Sequence, residues 1–145
     1  MEDLVSTLNL YAMTLTVAYR NAHILHLNCK GHGFRSVHLQ LNDVYDSLFE
    51  QIDVVGELIR IHDGIPTISL SECVEKSQIQ EIKSQEYSCE DALKMELEDI
   101  EKLIEITNNI AVTFGDKYKD VDDIFSSYTS DLGKFKYFIA SMIWH

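Results

Sequence analysis

A single proline, Pro66, stands in 145 residues, with only six glycines beside it. Proline stops a helix and glycine weakens one, so their scarcity leaves room for long helices. The breaks that remain divide the chain: Gly31 with Gly33, then Asp63-Gly64 with Pro66, then Gly115. Between them, apolar residues recur at the three-and-four spacing of one helical face.

The first helix is expected from about Asp3 to Asn28, through Leu4, Leu8, Tyr11, Leu15, Ala18, Ala22 and Leu25. The second runs from about Ser36 to His62, where Asp63-Gly64 ends it and Pro66 prevents its resumption. The connection from Ile65 to Ser88 is long for a plain loop, so a short helix is expected within it at Ser71–Lys76. The third helix opens at Ser88, with Asp91 favouring its positive end, and closes at Gly115. The fourth is placed from Asp122 to near Trp144. A long link lets the second and third helices run parallel, which predicts an all-α, ferritin-like four-helix bundle with a long crossover carrying a short helix. No repeat, linker or low-complexity segment divides the chain, so residues 1–145 are read as one domain.

Lysine and arginine total 12 against 24 aspartates and glutamates, a net charge of -12. Nucleic-acid binders need a basic surface, and no basic tail is present, so the composition argues against DNA as a partner. An acidic surface attracts cations instead. The three cysteines (Cys29, Cys73, Cys89) are odd in number and widely spaced, which argues against a disulfide framework or a zinc knuckle. No apolar run approaches the ~18 residues of a membrane span. The start MEDLVSTL lacks the basic and apolar regions of a secretory signal. A cytoplasmic setting is the expectation.

The chemistry concentrates between His26 and Glu57. His26 ends the first helix and His38 begins the second, while Asp53 and Glu57 share a face of the second at i and i+4. The Glu-x-x-His pairs of many di-iron bundles are absent from the sequence. His38 and Asp53 lie ~22 Å apart by helix rise, whereas ligands must come within ~2–2.6 Å of their ion. One chain therefore cannot bring all four groups to one metal. If the second helix packs antiparallel on its mate across a two-fold axis, His38 of one chain meets Asp53 and Glu57 of the other, giving two equal sites per dimer. Mixed imidazole and carboxylate ligation suits iron, and also zinc or manganese.

These residues carry a resemblance. His26-Leu27-Asn28, Lys30-Gly31 and Phe34 resemble the His-Trp-Asn-x-x-Gly-x-x-Phe stretch of the Dps family of mini-ferritins. His38, Asp53 and Glu57 follow at that family's ligand spacing, and Tyr45-Asp46 and Asp63-Gly64-Ile65-Pro66 resemble two further family elements. The resemblance implies a hollow dodecamer built from two-fold dimers, with a ferroxidase site at each dimer interface. There Fe(II) is oxidised by hydrogen peroxide or O2, and Fe(III) is stored in the cavity, protecting against oxidative damage. It assigns His26 and His38 as ligands from one chain and Asp53 and Glu57 from its partner, with Glu57 the bridging or strongest carboxylate. The acidic stretch Asp116–Asp123 resembles the segment lining the family's three-fold pores, which makes Asp116, Asp122 and Asp123 pore candidates.

The sequence departs from the family at Asn42, where an aspartate is usual. An amide can hold a water but has no charge, so a second iron binds more weakly, and Asp43 points about 100° away. The alternative reading follows from it: a Dps-like shell with a one-metal or degenerate site and little ferroxidase activity. The family tryptophans near the site are replaced by Leu27 and Tyr137. Simpler roles compete elsewhere. His23 reads as structural, and His32, His62 and His145 as solvated. Asp43, Asp46 and Glu50 form either a solvated face or an iron-nucleation surface. Asp116, Asp120, Asp122 and Asp123 also fit as acids at a helix N-terminus.

Overall fold

The structure, a computed structural model, describes residues 3–143. Trp144, the expected end of the last helix, and His145 lie outside the described residues. The described chain falls into two compact units, one ending at Cys89 and the other beginning at Glu90.

In the first unit, helix α1 spans Leu4–Asn28 and helix α2 spans Phe34–Ile61. Asp3 caps α1 by accepting from the Ser6 amide at 3.1 Å. The helices are antiparallel: Tyr11 meets Gln51, Tyr19 meets Tyr45, and His26 meets His38. Two glycines make the tight return between them. Gly31 and Gly33 hold φ of 108° and 81°, in the left-handed region that side chains avoid. Gly33 itself is the N-cap of α2, so this helix begins two residues before the expected Ser36. At the far end, a Cβ on Gly64 would come 2.5 Å from Val5 Cγ1, so only glycine lets the end of α2 sit against the first turn of α1.

The crossover contains the expected short helix, α3, at Leu70–Lys76. Ser69 caps it, accepting from the Glu72 amide at 3.4 Å while its hydroxyl donates to Glu72 Oε1 at 2.7 Å. The rest of the crossover is held by polar residues buried on α1. Asn9 donates to the Ile65 carbonyl and accepts from the Thr67 amide, at 2.9 and 2.8 Å. Thr14 accepts from the Gln78 amide at 3.0 Å. Asn21 donates to the Gln80 carbonyl and accepts from the Ile82 amide, at 2.9 and 3.0 Å. The crossover thus runs parallel to α1, its buried backbone satisfied by side chains where no helix or sheet supplies partners. It ends in a two-residue parallel pairing that the sequence did not suggest: β1 (Cys29–Lys30) beside β2 (Tyr87–Ser88).

The second unit contains α4 (Cys89–Phe114, from Glu90 onward) and α5 (Lys119–Met142). Thr107 and Thr129 hydroxyls join the helices at 2.8 Å, and Lys136 reaches Glu101 at 3.7 Å. Helix α5 begins three residues before the expected Asp122, capped at Tyr118. Starting earlier places Asp120 and Asp122 in its first turn, where the positive end of the helix dipole stabilises them. No described helix is long and apolar enough to cross a membrane.

Glu96 on α4 is fully buried, and neither carboxylate oxygen has a hydrogen-bond partner. Burial, and then the Asp99 charge, raise its pKa well above the usual carboxylate value. The folded chain holds this proton while the unfolded chain releases it, so stability is lost as pH rises above the unfolded value of about 4.3. Two outcomes follow. Glu96→Gln is more stable than the parent near pH 7, by on the order of 1–2 kcal/mol in urea unfolding, and the gain shrinks toward pH 4. Asn21→Ala loses two crossover bonds and is destabilised by about 2–4 kcal/mol, read in the same titration.

Candidate metal centre

His26 and His38 sit where the α1–α2 hairpin turns. Each ring is held by the other residue's backbone. His26 Nδ1 donates to the His38 carbonyl at 2.6 Å, and His38 Nδ1 donates to the His26 carbonyl at 2.7 Å. A carbonyl only accepts, so Nδ1 carries the hydrogen in both rings. In the neutral rings the lone pair is then on Nε2, the state a metal-ligating histidine needs. The rings stack at 3.6 Å between centroids and 16° between planes. Burial lowers the pKa of His26, against the raising effect of its hydrogen bond to the His38 carbonyl; the charges of His38 and His23 lower it further, and Asp46 raises it. The ring is therefore neutral at neutral pH.

Aromatic rings enclose this pair. Phe34 stacks on His38 at 4.9 Å, and Tyr45 stands edge-on to His26 at 5.0 Å. Tyr45 also contacts His23 at 4.9 Å and Tyr19 at 6.0 Å. His23, expected to be structural, pairs its Nδ1 with Arg20 at 3.0 Å. The Tyr45 hydroxyl donates to Asn42 Oδ1 at 2.8 Å, and Asn42 Nδ2 donates to Asp46 at 3.0 Å. Both ends of the Asn42 amide are engaged within α2. Neither Tyr45 nor Asp46 was singled out as part of the site by residue spacing; Tyr45 one turn and three residues after His38 is the signal that could have done so.

Asp53 and Glu57 stand elsewhere on α2, both exposed. Among the described residues no three His, Cys, Asp or Glu side chains gather closely enough to hold an ion. The histidines are thus brought together and the carboxylates are not brought to them. At 100° per residue, His38, Asn42, Phe49 and Asp53 fall within about 60° of the α2 circumference, with Glu57 about 40° further. They form one stripe along the helix. Phe49 on that stripe is 59% exposed, and Leu70 and Val74 of α3 are 78% and 55% exposed. These three help line an open, largely apolar cavity of about 390 Å³, with Tyr19, Ile52 and Cys73.

Behind the histidines lie two cysteines. Cys29 Sγ donates to the His26 carbonyl at 3.8 Å, the same oxygen that fixes His38. Burial and the adjacent Cys89 push the Cys29 thiol up to about 11, so it stays protonated. Of the pore candidates, Asp116 is exposed after α4, and Asp122 and Asp123 share Lys119 at 3.5 and 3.9 Å in the first turn of α5.

The chain belongs to the ferritin-like family: the model of the ferritin-like domain matches residues 7–145. It is similar to the DNA protection during starvation protein of Helicobacter pylori, 29% identical over 104 residues that cover 70% of this chain and 72% of that one. Among solved structures it resembles Dps from Staphylococcus aureus, at TM-score 0.91 and 26% identity, covering 99% of this chain and 96% of that one. Dps from Vibrio cholerae, described as one of the ferritin-like diiron-carboxylate proteins, superposes at TM-score 0.90 and 20% identity, over 97% and 89% of the two chains. The all-α, ferritin-like fold expected from the sequence is the fold found, and the relatives are those the motif resemblance names.

The tautomer assignment has a direct readout. In metal-free protein at neutral pH, 15N NMR of labelled histidine finds His26 and His38 protonated at Nδ1. An Nε2–H tautomer at either would overturn the reciprocal arrangement.

Proposed function

We propose that this chain is an iron-storing and detoxifying mini-ferritin that oxidises Fe(II) at sites shared between two subunits. The observation that carries the reading is the His26–His38 pair, two stacked rings whose Nδ1 hydrogens go to each other's backbone and whose Nε2 atoms are left as donors to a metal. Two imidazole nitrogens joined by carboxylates from a partner chain would form a donor set suited to Fe(II), the substrate, with zinc or manganese able to replace it. In this reading His26 and His38 bind from one chain, and Asp53 and Glu57 from its partner, with Glu57 the stronger or bridging ligand. The α2 stripe supports that pairing. The midpoint between His38 and Asp53 falls at Tyr45–Asp46, so a two-fold axis there brings each histidine to the partner's carboxylates. The exposed Phe49, Leu70 and Val74 are the apolar surface such a contact would cover.

The chemistry is a two-electron reduction of hydrogen peroxide. Two Fe(II) ions each give one electron, the peroxide takes up two protons and leaves as two waters, and Fe(III) is retained inside the shell. O2 is the slower oxidant. Consuming iron and peroxide together removes the reagents of hydroxyl-radical damage. The assembly is a homo-oligomer, a dodecamer of two-fold dimers, each chain one ferritin-like domain over residues 1–145, working in the cytoplasm. Asp116, Asp122 and Asp123 would line its cation pores. DNA is not a partner, because a chain of charge -12 repels phosphate.

One observation favours a narrower second reading. The Asn42 amide is occupied by Tyr45 and Asp46 and brings no charge to the site. A site that takes one tight and one weak ion, with little turnover, would follow.

Stopped-flow Fe(II) oxidation with added peroxide decides between these. The parent is expected to turn over, and His38→Ala and Asp53→Ala to fall at least ~10-fold, as removal of a metal ligand or its support commonly does. Equal rates in all three would sink the assignment. If the parent is slow, a metal titration saturating at one ion per site, raised to two by Asn42→Asp, selects the narrower reading. Light scattering of the parent is expected near twelve times the 16.7 kDa chain mass.

A further inference from the structure

We infer that Arg20 is a specificity-determining residue of the histidine centre, withholding from the metal a third imidazole, His23, one turn before His26. This role rests on the reading of His26 and His38 as ligands and adds the reason that only two imidazoles serve.

His23 and His26 lie three residues apart on α1, the spacing at which two side chains share a helix face and can converge on one ion. Their rings are 6.1 Å apart between centroids, with planes at 29°. Tyr45 touches both, at 4.9 and 5.0 Å. Position therefore gives His26 a second histidine neighbour besides His38. The two neighbours differ in the state of their nitrogens. His38 Nδ1 donates to a backbone carbonyl. His23 Nδ1 lies 3.0 Å from Arg20 Nη1. A guanidinium has five N–H donors and no acceptor, so here the Arg20 N–H donates and Nδ1 accepts. In the neutral ring the hydrogen is then on Nε2, the reverse of His26 and His38. Arg20 engages one nitrogen of His23 and a hydrogen occupies the other, so neither offers a lone pair to an ion.

Arg20 is itself braced. Its guanidinium carbon sits 5.7 Å over the Tyr19 ring. Tyr19 in turn contacts Tyr45 and Phe49 of α2, at 6.0 and 5.7 Å. The clamp on His23 is thus tied to the same aromatic cluster that encloses the His26–His38 pair.

The count of imidazoles sets which ions a mixed site prefers. Carboxylates suit harder ions such as manganese, and each added imidazole favours zinc and copper. Two imidazoles completed by carboxylates stay open to Fe(II). A third would tighten zinc, an ion with no redox chemistry, which would block the centre. Arg20 guards the centre against that competitor.

Zinc is also the probe, being redox-inert. Iron-free parent, Arg20→Ala and Arg20→Ala/His23→Gln, labelled at histidine nitrogen, are titrated with Zn(II). Binding is followed by 15N NMR and by competition with a chromophoric chelator. In the metal-free parent His23 is expected as the Nε2–H tautomer, and zinc shifts His26 and His38 while leaving His23 unchanged. In Arg20→Ala, His23 responds to zinc as well, and zinc affinity rises about 10-fold, the scale of one hydrogen bond to a charged group. The double variant returns to parental affinity. Four outcomes overturn the inference: an Nδ1–H tautomer at His23 in the parent, a zinc response of His23 in the parent, unchanged zinc affinity in Arg20→Ala, or a rise that persists in the double variant. If zinc moves neither His26 nor His38 in the parent, the reading of the centre fails and the inference falls with it. If zinc moves both and Arg20→Ala adds nothing, the inference alone fails. The parent spectra need no substitution and decide the matter should a variant fail to fold.

Discussion

The candidate centre of this chain depends on two hydrogen bonds exchanged between His26 and His38. A histidine at a helix terminus ordinarily rotates freely and chooses its tautomer by solvent. Here each ring spends its Nδ1 hydrogen on the other's carbonyl, which fixes both rotamers and leaves both Nε2 atoms as acceptors. The exchange requires the end of α1 and the start of α2 to approach closely and antiparallel. That approach in turn requires a return through Gly31 and Gly33 in left-handed conformation. The glycines are therefore as much a part of the centre as the histidines.

Much of this was legible in the sequence. Helical periodicity and the scarcity of breakers located the four long helices to within about three residues, and the length of the connection called for α3. The errors have physical causes. Helix α2 starts early because Gly33 serves as a backbone cap with no side-chain signature. Helix α5 starts early because Tyr118 is an unusual N-cap, whose carbonyl accepts from the Asp122 amide at 3.1 Å while its side chain makes no capping hydrogen bond. The β1–β2 pairing joins residues nearly 60 apart over two positions each, far below what a periodic pattern can reveal. Asn9, Thr14 and Asn21 interrupt an apolar face, and a sequence reading passes over such interruptions. In the folded chain they anchor the crossover.

The centre was legible to a different degree. The joint spacing of His26 and His38 pointed to a pair, and the pair is formed. Helix rise alone showed that Asp53 and Glu57 cannot reach it within one chain, and both carboxylates stand free of it on α2. What spacing could not convey was the second layer of partners: Tyr45 against His26, the Tyr45–Asn42–Asp46 relay, and Cys29 on the carbonyl that holds His38. These are tertiary choices of ring orientation and backbone acceptor, made only when the hairpin closes.

The central claim is that each site is shared between chains, and subunit complementation tests it most directly. His38→Ala and Asp53→Ala chains are each prepared inactive, then unfolded together and reassembled. In a mixed dimer one site carries both defects and the other carries neither. The account predicts that the mixture regains about a quarter of parental Fe(II) oxidation at random pairing, while each variant reassembled alone regains none. A mixture as inactive as its parents, despite proven mixed assembly, would contradict it.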